Sequence, residues 1–255
     1  QLTAIKNMKN GCILCGGVGS GKPRTALSYY HVLYGGEITK TVCIAETEYT
    51  KTFRVSLQKM KDPSDLYIIT TALKRDKLEW EGELIPFLLS SNPEYKYYSN
   101  NVVIDSWNNI KKYVGVKNAF FIFDEQRVIG SGEWVKSFLE IVKGNKWILL
   151  SATPGDTWQD YIPVFIANGF YKHRTEFARE HIIYSPYTKY RKVDRYVGVN
   201  RLIRLRNSIL VDMDFYRQTV QHHEDIYCNY DVAAYKRAGR LRWNPFTDAP
   251  IVNAA

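Results

Sequence analysis

Gly16-Gly17-Val18-Gly19-Ser20-Gly21-Lys22 constrains this chain more than any other stretch. A short apolar run, Cys12-Ile13-Leu14-Cys15, leads into it, and a helical pattern starts at Pro23. Strand, glycine-rich turn, lysine, helix is the order that a phosphate-binding loop requires. The glycines let consecutive backbone amides curl round a polyphosphate, and the lysine reaches its outer phosphates. The start of the following helix adds aligned N–H groups and the positive end of a dipole. The alternative is a glycine-rich strand-to-helix turn with no ligand.

One position departs from the pattern. A Ser or Thr normally follows the lysine and offers its hydroxyl to magnesium; here it is Pro23. Proline is sterically acceptable in a first helical turn, where its missing N–H has no helical partner to lose. The departure is therefore chemical rather than architectural. Thr25 lies further round the helix and is a poor substitute.

The remaining strands follow one texture. Leu66–Thr71 reads as a strand and runs into a segment with helical spacing from about Lys77 to Leu89, broken at Asn92-Pro93. Val102-Val103-Ile104 is a short strand ending at Asp105-Ser106, with a helix expected through Ile110 and Tyr113. Ala119-Phe120-Phe121-Ile122-Phe123 is apolar on both faces, as a buried parallel strand should be, and ends in Asp124-Glu125. A helix with Trp134, Phe138, Leu139 and Val142 on one face follows, closed by Gly144. Trp147-Ile148-Leu149-Leu150 is the next buried strand and ends in Ser151-Ala152-Thr153-Pro154. Alternating strands and helices predict an α/β domain with a mostly parallel sheet and helices on both faces. Polar residues sit just past the strand ends, where such sheets bind ligands.

Other segments are less regular. Residues 37–64 read as an insertion, with Thr41–Ala45 as a short strand and Phe53, Leu57 and Met60 on one face of a helix. Tyr161–Phe170 has the apolar content of a packed helix, and Arg201–Asp214 the spacing of a basic amphipathic one. Residues 225–255 contain no clear strand–helix unit. Trp158, Tyr161 and Phe165 are assigned to packing rather than base stacking, and the five histidines form no ligand or triad spacing.

Composition narrows the partners. The 255 residues carry a net charge of +9, which favours an anionic partner such as nucleic acid. No apolar run approaches the roughly 18 residues that a membrane span needs, so no membrane partner is expected. Cys12, Cys15, Cys43 and Cys228 make no disulfide framework, and a lone C-x-x-C around a buried strand does not supply the four ligands of a structural zinc. The expected setting is cytoplasmic, or a viral protein acting in the host cell interior. The chain opens on Gln1 rather than Met, which reads as a cut or processed N-terminus.

Asp124-Glu125 at the end of an apolar strand supplies two carboxylates for nucleotide hydrolysis: one to hold magnesium, the other to orient and deprotonate water. Alone, such a pair is more often solvated surface. Gly19-Ser20-Gly21-Lys22, Asp124-Glu125-Gln126-Arg127 and Ser151-Ala152-Thr153-Pro154 together resemble motifs I, II and III of superfamily 2 DEAD/DEAH-box helicases. Ile68–Lys74 with Trp80 and Glu83 is similar to motif Ia of the Swi/Snf-like branch, and Val103-Ile104-Asp105-Ser106-Trp107 to motif Ib. Gln1 sits where such proteins carry a glutamine ahead of motif I.

The resemblance, which covers roughly residues 1–220, implies a RecA-like P-loop NTPase fold and a set of roles. Residues 1–224 would form the first RecA-like, ATP-binding domain, and 225–255 the crossover towards a second RecA-like domain absent from this chain. Gly17, Val18, Gly19, Ser20, Gly21, Lys22, Pro23 and Arg24 would bind ATP. Asp124 would hold magnesium, with Glu125 as catalytic base and Lys22 on the phosphates. Ser151, Ala152 and Thr153 would couple nucleotide state to nucleic acid, which Thr71, Lys74 and Ser106 would touch through its backbone. DNA is the expected partner and RNA the alternative.

Two departures bear on activity. Pro23 removes a magnesium hydroxyl, and the arginine fingers of the second domain are missing. Arg237–Arg242 superficially resembles an arginine-rich motif VI but lacks the preceding strands, so it reads as a basic surface or linker segment. The leading function is the first motor domain of a DNA-dependent ATPase, helicase or translocase. The alternatives are a terminase-type viral DNA-packaging ATPase, which the Lys74–Glu83 stretch argues against, and a non-hydrolysing nucleotide- or DNA-binding domain.

Overall fold

The computed structural model describes residues 1–46, 51–125, 128–187, 192–213, 224, 229–244 and 247–250. Side chains of 39–46 and 51–57, and residues Gln126-Arg127, His222-His223 and Cys228, lie outside what is described. The chain divides into two compact units, Gln1–Phe215 and Tyr216–Ala255.

The first unit is built on a six-stranded sheet. Its strands are β1 (Ile13–Cys15), β2 (Leu66–Thr70), β3 (Val102–Ser106), β4 (Phe120–Asp124), β5 (Lys146–Ser151) and β6 (Leu210–Asp212). Their spatial order is β6-β1-β5-β4-β2-β3, and every pairing is parallel. Parallel neighbours need crossovers, and these place apolar cover on both faces.

The two faces are legible residue by residue. Phe121 and Phe123 of β4, with Trp147 and Leu149 of β5, face one core with Phe138, Ile141, Phe165 and Phe177. Phe120 and Ile122, with Ile148 and Leu150, face the other with Ala26, Leu27, Tyr30, Trp80 and Leu84. The period of two along each strand splits them. Phe120, Phe121, Ile122 and Phe123 are each 0% exposed, so β4 is central rather than half-buried. Each such side chain contributes about 1.5–3 kcal/mol of burial. Helices Lys22–Leu33 and Glu79–Leu84 cover one face; Glu133–Val142, Ile162–Ala167 and Val199–Ile209 cover the other.

Several expectations need correction. Residues 51–58 form a strand paired antiparallel with Glu37–Glu46, not a helix. Lys51-Thr-Phe-Arg-Val-Ser-Leu-Gln58 alternates polar and apolar, and that period of two wins over the Phe53–Leu57 spacing. The helix expected over 77–89 is broken into Glu79–Leu84 and a 3-10 turn, Ile85–Phe87. Leu78 and Leu88 at its ends take left-handed backbone angles (φ 56° and 59°). The segment after Ser106 is a 3-10 helix, Trp107–Tyr113. On Glu133–Val142 the buried residues are Val135, Ser137, Phe138 and Ile141, while Trp134 is exposed. The helix expected over 201–214 stops at Ile209, and Leu210–Asp212 becomes the edge strand β6. Three residues at the end of an amphipathic helix carry too little pattern to announce a strand.

In the second unit, helix Val232–Leu241 has no buried side chain, and Arg237, Arg240 and Arg242 are exposed. Among the described residues no helix is long and apolar enough to cross a membrane.

Candidate nucleotide site

A parallel sheet brings the C-terminal ends of its strands to one edge. Here β1 ends at the glycine loop, β5 at Ser151 and β4 at Asp124, and the three strands are neighbours. Cys15 lies opposite Ser151, and Asp124 opposite Leu150. The backbone continues this register: Gly16 N–H donates to the Ser151 carbonyl (3.3 Å) and Glu125 N–H to that of Leu150 (3.1 Å). The three motifs therefore meet because their strands do.

The loop needs its glycines. Gly19 and Gly21 have φ of 82° and 80°, where a side chain is strained. A Cβ on Gly16 would stand 2.6 Å from Ser20 Oγ. Val18, at the loop tip, is 73% exposed. Gln1 lies against the loop's end, its Nε2 3.4 Å from the Ser20 carbonyl. Lys22 is buried, and its Nζ donates to the carbonyls of Gly16 (2.7 Å) and Gly17 (3.0 Å). Burial pushes its pKa down; Glu125 and Asp124 pull the other way, and the net is a lowered value.

Pro23 occupies the first turn of helix Lys22–Leu33, where proline fits. Thr25 cannot stand in for the missing hydroxyl. It is 0% exposed, and its Oγ1 donates back to the Gly21 carbonyl at 3.0 Å. Arg24 leaves the loop and pairs with Glu83 at 2.6 Å.

Asp124 is the electrostatic centre. Its side chain is 1% exposed. Oδ2 accepts from Thr70 Oγ1 (2.8 Å), Lys74 Nζ (3.1 Å) and Trp80 Nε1 (3.2 Å). The other oxygen, Oδ1, is buried with no hydrogen-bond partner among the described residues. Desolvation dominates and raises the carboxyl's pKa, against the opposing pull of Lys74 and Thr70. Trp107 Nε1 donates to the Asp124 carbonyl at 3.0 Å, which fixes the backbone where the strand ends. Glu125 beside it has φ 61° and a 44% exposed side chain.

Lys74 joins the two acids. Its Nζ stands 3.1 Å from Asp124 Oδ2 and 2.8 Å from Glu125 Oε1. Desolvation would lower its pKa, but the hydrogen bonds and charges of Glu125 and Asp124 raise it overall. The ammonium is thus held charged between the carboxylates.

Gly17–Lys22 presents a glycine loop and a lysine suited to phosphates. The unpaired, buried Oδ1 of Asp124 suits a divalent cation, while the hydroxyl that commonly accompanies it is absent.

The other candidates lie along the same edge. Thr71 caps helix Ala72–Asp76, its Oγ1 accepting from Lys74 N–H at 3.3 Å. Ser106 is buried and accepts from Arg75 Nη1 at 3.2 Å. Arg75 also donates to Asp105 Oδ1 at 3.0 Å, and Tyr113 OH to Asp105 Oδ2 at 2.6 Å. Ser151 is buried, its Oγ accepting from Thr153 N–H at 3.1 Å, while Ala152 is exposed. Sequence reasoning did not assign Thr70, Trp80 or Trp107 to Asp124. The usable signal was position: Thr70 is the polar last residue of a strand adjacent to β4.

No family model matches the sequence, and no curated protein matches it. Among solved structures, the Sulfolobus solfataricus SWI2/SNF2 ATPase core in complex with dsDNA is similar over 83% of this chain and 42% of its own. The TM-score is 0.52 at 15% identity. The Hef helicase domain of Pyrococcus furiosus gives a TM-score of 0.43 at 16% identity, over 66% of this chain and 35% of that one. The chain spans less than half the length of the SWI2/SNF2 core. The fold is RecA-like α/β, as in that SWI2/SNF2 ATPase core.

Proposed function

We propose that this RecA-like domain is the ATP-binding part of a DNA-dependent ATPase motor, a helicase or translocase. The observation that carries the reading is the meeting of three loops on adjacent strands: Gly17–Lys22, Asp124-Glu125 and Ser151–Thr153. The dsDNA in the SWI2/SNF2 neighbour and the net charge of +9 support DNA as the partner.

In this reading the amides of Gly17–Gly21 and the ammonium of Lys22 bind the triphosphate. Lys22 exchanges its two loop carbonyls for phosphate oxygens. Asp124 holds magnesium, which when bound neutralises charge on the phosphates. Glu125, exposed at the end of β4, orients the attacking water and accepts its proton during in-line displacement. Ser151 senses the loop directly, since its carbonyl accepts from Gly16 N–H. Thr71, Lys74 and Ser106 lie on the side assigned to the nucleic-acid backbone. A second RecA-like domain supplies the arginine that stabilises developing charge.

A second reading is favoured by one observation: with Pro23 in place and the Thr25 hydroxyl spent on Gly21, the helix offers magnesium no hydroxyl. The domain would then bind nucleotide or DNA without hydrolysis.

Calorimetry of magnesium-ATP and magnesium-ADP, with Lys22→Ala as control, tests the site. Binding that vanishes in the control supports it; no binding to the unaltered chain overturns it. Glu125→Gln tests hydrolysis in a protein carrying both RecA-like domains: unchanged ATP turnover there would sink the motor reading and leave the binding one.

A further inference from the structure

The nucleotide site already contains a cation, and it belongs to the protein. Lys74 Nζ bridges Asp124 Oδ2 and Glu125 Oε1, the acids assigned to metal and water. Its side chain is only 20% exposed, so the pairing is partly shielded from solvent. Lys22 does not compete for this place, because its Nζ is committed to the carbonyls of Gly16 and Gly17. Pro23, the position after Lys22, also offers no hydroxyl to help a metal ion prevail. Asp124 Oδ1 is nevertheless buried and unpaired among the described residues, so the acid has capacity for a second positive partner.

We propose that Lys74 is a built-in counter-cation that holds Asp124 and Glu125 while the site is empty, and that magnesium-nucleotide must displace it. The proposal rests on the nucleotide-site reading above. Lys74 sits in the short helix Ala72–Asp76, and the next residue, Arg75, is tied to Asp105 and Ser106. Displacement would therefore free an ammonium on the side of the domain assigned to DNA. Nucleotide occupancy would then add a positive charge there. In the empty state the same ammonium is spent on carboxylates and contributes little to DNA binding.

The test uses the full chain and three proteins: unaltered, Lys74→Met and Lys74→Arg. Magnesium-ADP binding is measured by calorimetry, and ADP binding again in excess chelator. Removing the competing charge is expected to tighten magnesium-ADP by roughly five- to tenfold, between the worth of an exposed and a buried ion pair. Affinity in chelator should be unchanged, and Lys74→Arg should bind as weakly as the unaltered chain. Duplex DNA affinity of the unaltered chain should rise when magnesium-ADP is added, and Lys74→Met should lose that rise. Magnesium-ADP affinity that is unchanged or weaker in a folded Lys74→Met overturns the displacement, as does a magnesium-ADP-dependent rise in DNA affinity that Lys74→Met keeps in full. If Lys74→Met does not fold, tighter magnesium-ADP binding by Lys74→Arg overturns the proposal, and unchanged weak binding supports it. The site reading fails separately, through absence of binding in the unaltered chain or its survival in Lys22→Ala.

Discussion

The indole of Trp80 donates to Asp124 Oδ2 at 3.2 Å from a helix 44 residues earlier in the chain. Trp80 is 2% exposed, so it is both core and donor. Trp80→Phe keeps an aromatic ring but removes the donor and some volume. It is predicted to cost about 1–3 kcal/mol, as a lower midpoint in urea with an unchanged slope. Retention of full stability would show that the hydrogen bond and the fit of the indole matter little.

Pro23→Thr is predicted to strengthen magnesium-dependent binding. The helix start tolerates either residue, and Thr25 cannot already be filling the role. A gain of about tenfold in magnesium-ATP affinity is expected, corresponding to about 1.4 kcal/mol. Affinity in chelator should stay the same. Equal gains with and without magnesium would mean that the proline acts through loop shape instead.

Gly21→Ala separates two costs. A Cβ there would stand 2.3 Å from Gln1 Nε2, and the backbone has φ 80°. The side chain of Gln1 can move aside, but the backbone angle cannot relax so cheaply. A loss of about 1–2 kcal/mol is predicted, with Gln1→Ala relieving only a minor part. Full relief by Gln1→Ala would assign the cost to the contact.

Asp105 sets an acid limit. Burial alone would raise its pKa, but hydrogen bonds from Tyr113, Asn109, the Ser106 amide and Arg75 bring it from 3.8 down to about 2. A carboxyl that is more acidic folded than unfolded stabilises above its unfolded pKa, and the effect fades as pH falls through the folded one. The contribution is up to about 2 kcal/mol, present above about pH 4 and lost towards about pH 2. Asp105→Asn should therefore lower stability near neutrality and flatten its decline in acid, as read from urea midpoints across that range. A parallel downward shift at every pH would assign Asp105 a packing role alone.

Much of this was legible from residue types. Phe120–Phe123 announced a central strand because four consecutive apolar residues leave no face for water. The glycine loop announced its own turn, since few other residues tolerate the left-handed angles at positions 19 and 21. What hid was side-chain pairing across long separations. Nothing local tells that Lys74 turns towards Asp124, because the direction is set by where β2 and β4 lie in the sheet. In the hairpin over 37–58 the strand around 41–45 is legible, but Phe53, Leu57 and Met60 mislead, because a spacing of four suits a helix and a strand alike. Only the full alternation decides between them.

Glu125 stands at φ 61°, a backbone angle that glycine occupies at no cost and glutamate does not. The strain is of order 1 kcal/mol. Robustness and chemistry thus pull in opposite directions at a single position. A selection for heat resistance alone should drift towards Gly there and yield a firmer domain without the carboxylate proposed to activate water.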